Sequence, residues 1–224
     1  MADVLCVGAH PDDVELGMGA TVASMVAQGL EVVIVDLTDG EPTPRGTHET
    51  RMVEAARAAA VLGAERVTLE MPNRYLFDSV EARTTLAGVI REHRPGIVFA
   101  PYPVDAHPDH IAAASIAEGA RFYAKFTKTD MPGEPHYPAK LLHYVAVHLR
   151  LHVEPSFVLD ASGNLDAKVR ALRCYESQFA ASSAGVLEWV SRQAAYWGSL
   201  IGKEAGEPFY SREPVGLASV TALL

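Results

Sequence analysis

Two short stretches of this sequence carry the residue types that do chemistry. Residues 10–13 read His-Pro-Asp-Asp, and residues 107–110 read His-Pro-Asp-His. Together they supply three imidazoles and three carboxylates. Three donors drawn from His and Asp, with one position left open for water, make a catalytic zinc site. Imidazole with carboxylate suits zinc better than calcium or magnesium, which prefer all-oxygen sets. A carboxylate left over beside the ligands can act as base toward water, and a spare histidine as an acid or oxyanion partner.

Helix capping is the plainer explanation of each stretch. Asp is a good N-cap, Asp12 followed by Glu15 has the outline of a capping box, and Asp109 could cap the helix after it. Either tetrad alone reads as a cap. Capping does not call for His ahead of Pro in both, nor for Asp and His in fourth place. The matched pair therefore reads as a functional cluster. By composition either His107 or His110 could be a ligand. If Asp109 begins the helix, His107 lies outside it and His110 in its first turn, so the two rings approach from different directions.

The surrounding pattern says what must position these residues. Short apolar runs at 3–9, 31–37 and 96–101 read as buried strands, and 66–70 as a further short strand. Helical spacing fills 17–29, 50–63, 79–95 and 111–122, with Gly29 and Gly63 placed as stops and Pro95 ending the third helix. Continuous apolar strands alternating with helices mean a parallel sheet covered on both faces. The first tetrad follows its strand directly and the second after a short loop. Both then belong on the carboxyl edge of the sheet, where open α/β folds bind ligands. Past residue 124 the rhythm loosens: a polar loop at 125–140, strands at 141–153 and 156–160, and helices at 165–179 and 186–202. The expected fold class is α/β, a Rossmann-like three-layer fold with a mostly parallel sheet and an elaborated C-terminal part, forming a single domain over residues 1–224.

Composition narrows the function. Apolar residues are 49% and charged residues 21%, enough for a sizeable core. The net charge of −9, without a basic run, argues against nucleic-acid or anionic-membrane partners. An acid at position 3 does not suit a signal peptide, and no apolar stretch reaches membrane-spanning length. Two cysteines, Cys6 and Cys174, make no disulfide framework, and Cys6 reads as a small buried hydrophobe. The expected compartment is the reducing cytoplasm.

Several further residues are candidates. Asp105 stands two positions before His107 and reads either as a substrate-facing group or as a loop turn. His148 and His152 are four apart on an expected strand and would share a face, lining the pocket or filling core and surface. Trp189 and Trp197 share one helix face, as core or subunit packing would require. Arg45 and His48 lie in the long loop, in contact with solvent or with substrate.

The stretches "AHPDDVELG" and "DAHPDH" together resemble the LmbE-like (PIG-L) family of zinc-dependent N-acetylglucosaminyl deacetylases. "RPGIVFAPYPVDAHPDH", "EPSFVLD", "KVRALRCYESQF" and "YWGSLIGKEAGEPFYSREPVG" look like the branch that deacetylates the glucosaminyl-malate intermediate of bacillithiol synthesis. The resemblance implies His10, Asp13 and His110 as metal ligands and Asp12 as general base. It implies His107 as the histidine donating to the intermediate or leaving amine, with Asp109 orienting it, and Arg51 in "RGTHETR" as a substrate contact. It further implies one Zn2+ per chain, with Fe2+ or another divalent ion as the cellular alternative. The implied partners are a small N-acetylated glucosaminide and copies of the chain itself, in a homo-oligomer such as a hexamer.

Three rivals compete with this reading. A dinucleotide-binding module needs a glycine-rich first turn, whereas "GAHPDDVELGMG" puts bulk and negative charge where phosphates would sit. A two-metal phosphoesterase needs a further carboxylate set. A non-catalytic metal-binding protein has no use for a spare Asp12, because a structural zinc site is closed and needs no base. The remaining alternative is a deacetylase of a different N-acetylated sugar conjugate.

Overall fold

The computed structural model describes residues 1–149, 151–179 and 183–223. Among these the elements run β1 (Val4–Gly8), α1 (Asp13–Ala27), β2 (Val32–Asp36), α2 (His48–Leu62), β3 (Glu65–Thr68), α3 (Val80–His93), β4 (Ile97–Pro101) and α4 (Pro108–Tyr123). The second half continues with β5 (Lys140–Tyr144), β6 (Phe157–Asp160), α5 (Leu165–Arg173), α6 (Glu176–Phe179), α7 (Ser183–Leu200), β7 (Gly206–Tyr210) and a 3-10 turn at Val220–Leu223. The strands form one mixed sheet in the order β3-β2-β1-β4-β5-β7-β6. β1 to β5 are parallel, and β7 runs antiparallel to both β5 and β6.

Alternation along β1 builds the three layers. Leu5 and Val7 point to one face, where they pack with Leu86 and Ile90 of α3 and Ala113 and Ile116 of α4. Val4 and Cys6 point to the other, against Val14 and Met18 of α1, Ala58 of α2 and Ala171 of α5. A period of two on a strand buried on both sides gives this division. On the second face α1 lies close over the Tyr144 ring. A Cβ on Gly17 would collide with that ring, so only glycine fits there.

The strand order positions the tetrads. After β1 the chain winds outward through β2 and β3. It then returns to place β4 on the other side of β1. β1 and β4 are thus paired neighbours from which consecutive crossovers depart in opposite directions. Ligands bind at such a reversal, and each tetrad follows one of these two strands.

Three departures from the sequence pattern have physical causes. The expected strand at 141–153 ends at Tyr144, where the pairing with β4 ends at Pro101. His148 and His152 therefore lie in irregular chain beyond the sheet, not on a strand face. The expected helix at 165–179 breaks at Cys174–Tyr175, because Tyr175 is fully buried and its hydroxyl donates to Glu15. β7 escapes the pattern because "GEPFY" contains Gly and Pro, both poor strand formers. No helix among the described residues is long and apolar enough to cross a membrane.

Candidate active site

β1 ends at Gly8 and the chain turns sharply into α1. His10 donates its backbone N–H to Asp13 Oδ2 at 2.9 Å, which closes the turn. Asp12 takes φ 113°, a conformation that costs a side-chain-bearing residue about 1–2 kcal/mol. It makes no side-chain cap for α1, and Glu15 is buried against Arg66 and Tyr175, so the capping box does not form. The strained backbone is held by Arg51, whose Nη2 donates to Pro11 O at 2.7 Å and to Asp12 Oδ2 at 3.1 Å.

The second tetrad opens α4. Pro108 occupies the first turn, as the fixed φ of proline favours. His107 is the N-cap: its Nδ1 accepts the backbone N–H of Asp109 at 3.2 Å. His110 sits inside the first turn, 3% exposed.

These turns bring the tetrads together. The ring centroids of His10 and His107 are 4.8 Å apart, and those of His107 and His110 4.7 Å. His10, Asp13 and His110 each offer one ligand atom, all within 4.8 Å of one another. His10, His107 and Asp109 offer a second, overlapping set. In the second set Asp109 is already committed, since its carboxylate accepts from Arg74 N at 2.7 Å, Leu76 N at 3.3 Å and His10 Nε2 at 3.1 Å. His107 has given Nδ1 to its cap, leaving Nε2 toward the cleft. The first set also has a buried support, because His110 Nδ1 bonds Asp105 Oδ2 at 2.5 Å. A carboxylate behind a ligating histidine is the usual outer support of a metal.

The electrostatics of this candidate cation site follow from burial and pairing. Burial depresses the His10 pKa, but hydrogen bonds from His10 to the carboxylates of Asp109 and Asp13 more than reverse this and raise it to about 10. His110 follows the same pattern, burial being overcome by Asp13 and Asp105, and reaches about 9. Asp13 is raised by burial but held well below the ordinary carboxylate range by His110 and His10. The cluster thus holds protons where a divalent cation would serve its carboxylates better, and the donor set fits zinc. Asp12 behaves differently. Burial pushes its pKa up to about 7, and the Arg51 guanidinium opposes the rise only in part. His107 is shifted down by burial and by the neighbouring His110 and His10, so its ring is neutral at neutral pH.

Asp109 and Asp105 make contacts that the sequence pattern does not contain. The expectation for Asp109 is that its carboxylate orients His107. That carboxylate instead holds His10 and the loop at Arg74 and Leu76, and only the Asp109 backbone N–H meets the His107 ring. Asp105 reads in the sequence either as a substrate-facing group or as a loop turn. Its side chain is 0% exposed, and its oxygens accept from His110 and from the N–H groups of Ala106 and His148. It positions His110 and has no free face toward the cleft.

A cleft of about 560 Å³ opens over the cluster, lined by His10, Asp12, Asp13, His107 and His110 among others. Arg51 lines it from the floor, 3% exposed, with the Tyr175 ring centroid 5.5 Å from its guanidinium carbon. Its Nε and Nη1 are buried without a partner among the described residues. Gly40, Pro42, Thr43 and Pro44 of the long loop also line the cleft. Arg45 and His48 do not, and His48 bonds Asp39 at the surface. The sequence pattern missed Asn73 and Arg74, which line the cleft from a segment without a strand or helix signal of its own, and Gln178, which lines it from the expected helix at 165–179. A second cavity of about 690 Å³ adjoins it, sharing Leu16, Val147, His148 and Trp189. His148 therefore stands at the site, its ring 5.3 Å from that of His110. Trp189 is 49% exposed rather than packed in the core.

The chain is similar to several known proteins. The family model PIG-L, described as GlcNAc-PI de-N-acetylase, matches residues 5–120, which span both tetrads. The diacetylchitobiose deacetylase of Thermococcus kodakarensis is 32% identical over 91% of this chain and 80% of its own length. A 1D-myo-inositol 2-acetamido-2-deoxy-alpha-D-glucopyranoside deacetylase of Nocardiopsis dassonvillei is 30% identical over 74% of this chain and 71% of its own. Among solved structures, the conserved protein TT1542 from Thermus thermophilus is 39% identical with a TM-score of 0.92, covering 98% of this chain and 99% of that one. With the family model spanning half of the sequence and a relative aligned along nearly all of it, this chain belongs to the PIG-L family of de-N-acetylases.

Proposed function

We propose that this chain hydrolyses the N-acetyl group of an N-acetylglucosaminide, releasing acetate and a free amine. The observation that carries the reading is Asp12: a largely buried carboxylate with a pKa near 7, beside a three-donor cluster at the floor of an open cleft. Both named relatives are deacetylases whose substrates contain an N-acetylated glucosamine unit, attached to a second sugar in one and to inositol in the other.

His10, Asp13 and His110 would hold the metal, and zinc is the ion this donor set favours. When bound, the ion supplies Lewis acidity toward the amide carbonyl and toward water. Asp12 accepts the proton of the attacking water as the new C–O bond forms. With a pKa near the working pH it can return that proton to the nitrogen as the C–N bond breaks. His107, neutral and with its Nδ1 held by the Asp109 N–H, carries its proton on Nε2 and donates it as a hydrogen bond to the carbonyl oxygen as negative charge develops there. Asp105 orients His110, and Asp109 orients His10.

The finer substrate reading is the malate glycoside of N-acetylglucosamine from bacillithiol synthesis. Its support is the C-terminal sequence resemblance, together with the arginines Arg51 and Arg74 around the cleft. The test is amine release by zinc-loaded protein across a panel of N-acetylglucosaminides, with Asp12→Ala as control. Release that needs Asp12 supports deacetylation, and the panel ranks the aglycones. Full activity after exhaustive chelation would remove the metal from the scheme.

A further inference from the structure

Helix α1 is broken soon after it begins. Met18 takes φ −147° and ψ 23°, outside the helical region, and is fully buried. The break divides α1 into a short turn at 13–17 and a longer segment at 19–27. The longer segment starts, as every helix does, with N–H groups that have no partner of their own. Glu207 of β7 meets them. Its Oε1 accepts the N–H of Ala20 at 3.2 Å, and its Oε2 accepts the N–H of Thr21 at 2.7 Å and the Thr21 hydroxyl at 2.6 Å. Lys168 of α5 donates to Oε1 at 2.6 Å and balances the charge. Both side chains are buried. In an unbroken helix the same two N–H groups would bond the carbonyls of Leu16 and Gly17. A carboxylate at the positive end of the second segment favours the break instead.

The short turn in front of the break carries Asp13. Its Oδ1 stands 3.2 Å from His110 Nε2, and its Oδ2 3.5 Å from His10 Nδ1. The turn has its own anchors: Glu15 accepts from Arg66 at 2.6 Å and from Tyr175 at 2.8 Å, and Gly17 lies against the Tyr144 ring. Straightening α1 at Met18 would pull the turn off these anchors. Asp13 lies about 7 Å along the axis from the break, so a tilt of about 10° displaces it by about 1 Å. A misplacement of that size can cost about 10²-fold in activity. We infer that Glu207 is a positioning residue for the metal cluster: by capping the second segment it maintains the break at Met18, and the break sets where Asp13 stands. Glu207 lies outside residues 5–120, the part of the chain that the family model matches. The inference rests on the metal-dependent deacetylase reading and adds to it a residue from the far end of the chain.

The test separates position from stability. Removing one member of a buried ion pair strands the other charge, whereas replacing both by apolar groups is often tolerated. The variants are therefore Lys168→Met alone, Lys168→Met with Glu207→Met, and Lys168→Met with Glu207→Gln. Zinc affinity is measured by competition with a chelator of known affinity, below the melting temperature of each variant, with kcat on an N-acetylglucosaminide alongside. Lys168→Met keeps the cap and should bind zinc as wild type does, despite a lower melting temperature. The double methionine variant should bind zinc at least about tenfold more weakly, the lower end of what supporting residues contribute, and lose kcat. Glu207→Gln returns one accepting oxygen and should recover part of both. Equal zinc affinity in Lys168→Met and the double methionine variant would overturn the proposal. So would a loss in Lys168→Met as large as in the double, because the loss would then follow stability. If the double methionine variant does not fold, the nearly isosteric Glu207→Gln carries the same comparison, and equality there overturns the proposal. Wild type that binds zinc and releases amine, with variants that match it, defeats this inference alone. Wild type that does neither removes the metal-dependent deacetylase reading as well.

Discussion

The backbone N–H of Asp109 donates to Nδ1 of His107 at 3.2 Å, so the histidine that leads the second tetrad is also the N-cap of α4. Capping and chemistry, which compete as explanations of the sequence, are here served by one side chain. The contact fixes the tautomer: a nitrogen that accepts cannot carry the proton, which must then sit on Nε2.

The first prediction follows from this. His107→Ala should keep its metal and lose rate by roughly 10²–10⁴-fold, as removal of a positioned proton-handling or oxyanion group does. It should also lose about 1 kcal/mol of stability through the missing cap. His107→Asn restores a capping side chain and should recover the stability without the rate. Thermal melting, metal analysis and turnover on the two variants check this. Metal loss on His107→Ala would instead place this ring among the ligands.

Asp105 offers a second test, in binding rather than turnover. It supports His110 from behind, so Asp105→Ala should weaken metal affinity by about 10–100-fold, the usual effect of removing an outer-shell carboxylate. His110→Ala should lose more, and its activity should partly return at high zinc. Competition with a chelator of known affinity measures both. An unchanged affinity for Asp105→Ala would mean that His110 does not bind the metal.

The third prediction concerns pH and Arg51. A base works only when deprotonated, so the acidic limb of kcat/KM follows the Asp12 pKa. Burial raises that pKa, and Arg51 is the largest influence holding it down. Arg51→Ala should therefore move the limb to higher pH at constant metal loading, and Arg51→Lys should move it less. A limb that stays in place would assign it to another group. A larger loss on acidic than on neutral substrates would make Arg51 a substrate contact as well.

Metal-free protein should show a distinctive loss of stability with pH. His10 and His110 have folded-state pKa values of about 10 and about 9, above their ordinary 6.5. Groups raised on folding contribute stability that is complete below the unfolded pKa and lost as pH rises through the folded one. The melting temperature of the metal-free chain should therefore fall between about pH 7 and pH 10. Zinc takes the place of those protons, so the loaded protein should fall less over the same range. A metal-free melting temperature that is flat across this window would contradict the charge state assigned to the cluster.

Much of this was legible in the residues themselves. Apolar strands such as Val4–Gly8 and Val32–Asp36, followed by helices with glycine stops, specify a parallel three-layer fold, because period and burial leave little choice of partner. The tetrads declared themselves by residue type, and their place after strands put them on one edge of the sheet. The pattern did not contain the side-chain bonds. That Asp109 serves His10 and Arg74 rather than the His107 ring depends on where the 72–77 loop docks, and nothing in its sequence marks that docking. Asp105 and His148 took their places through a hydrogen bond between residues 43 apart. Arg51 became the partner of Asp12 across 39 residues, because α2 packs beside α1. Local sequence determined the elements and the reactive groups. The tertiary structure alone decided which carboxylate faces which imidazole, because those contacts join segments distant in the chain whose geometry exists only once the sheet is assembled.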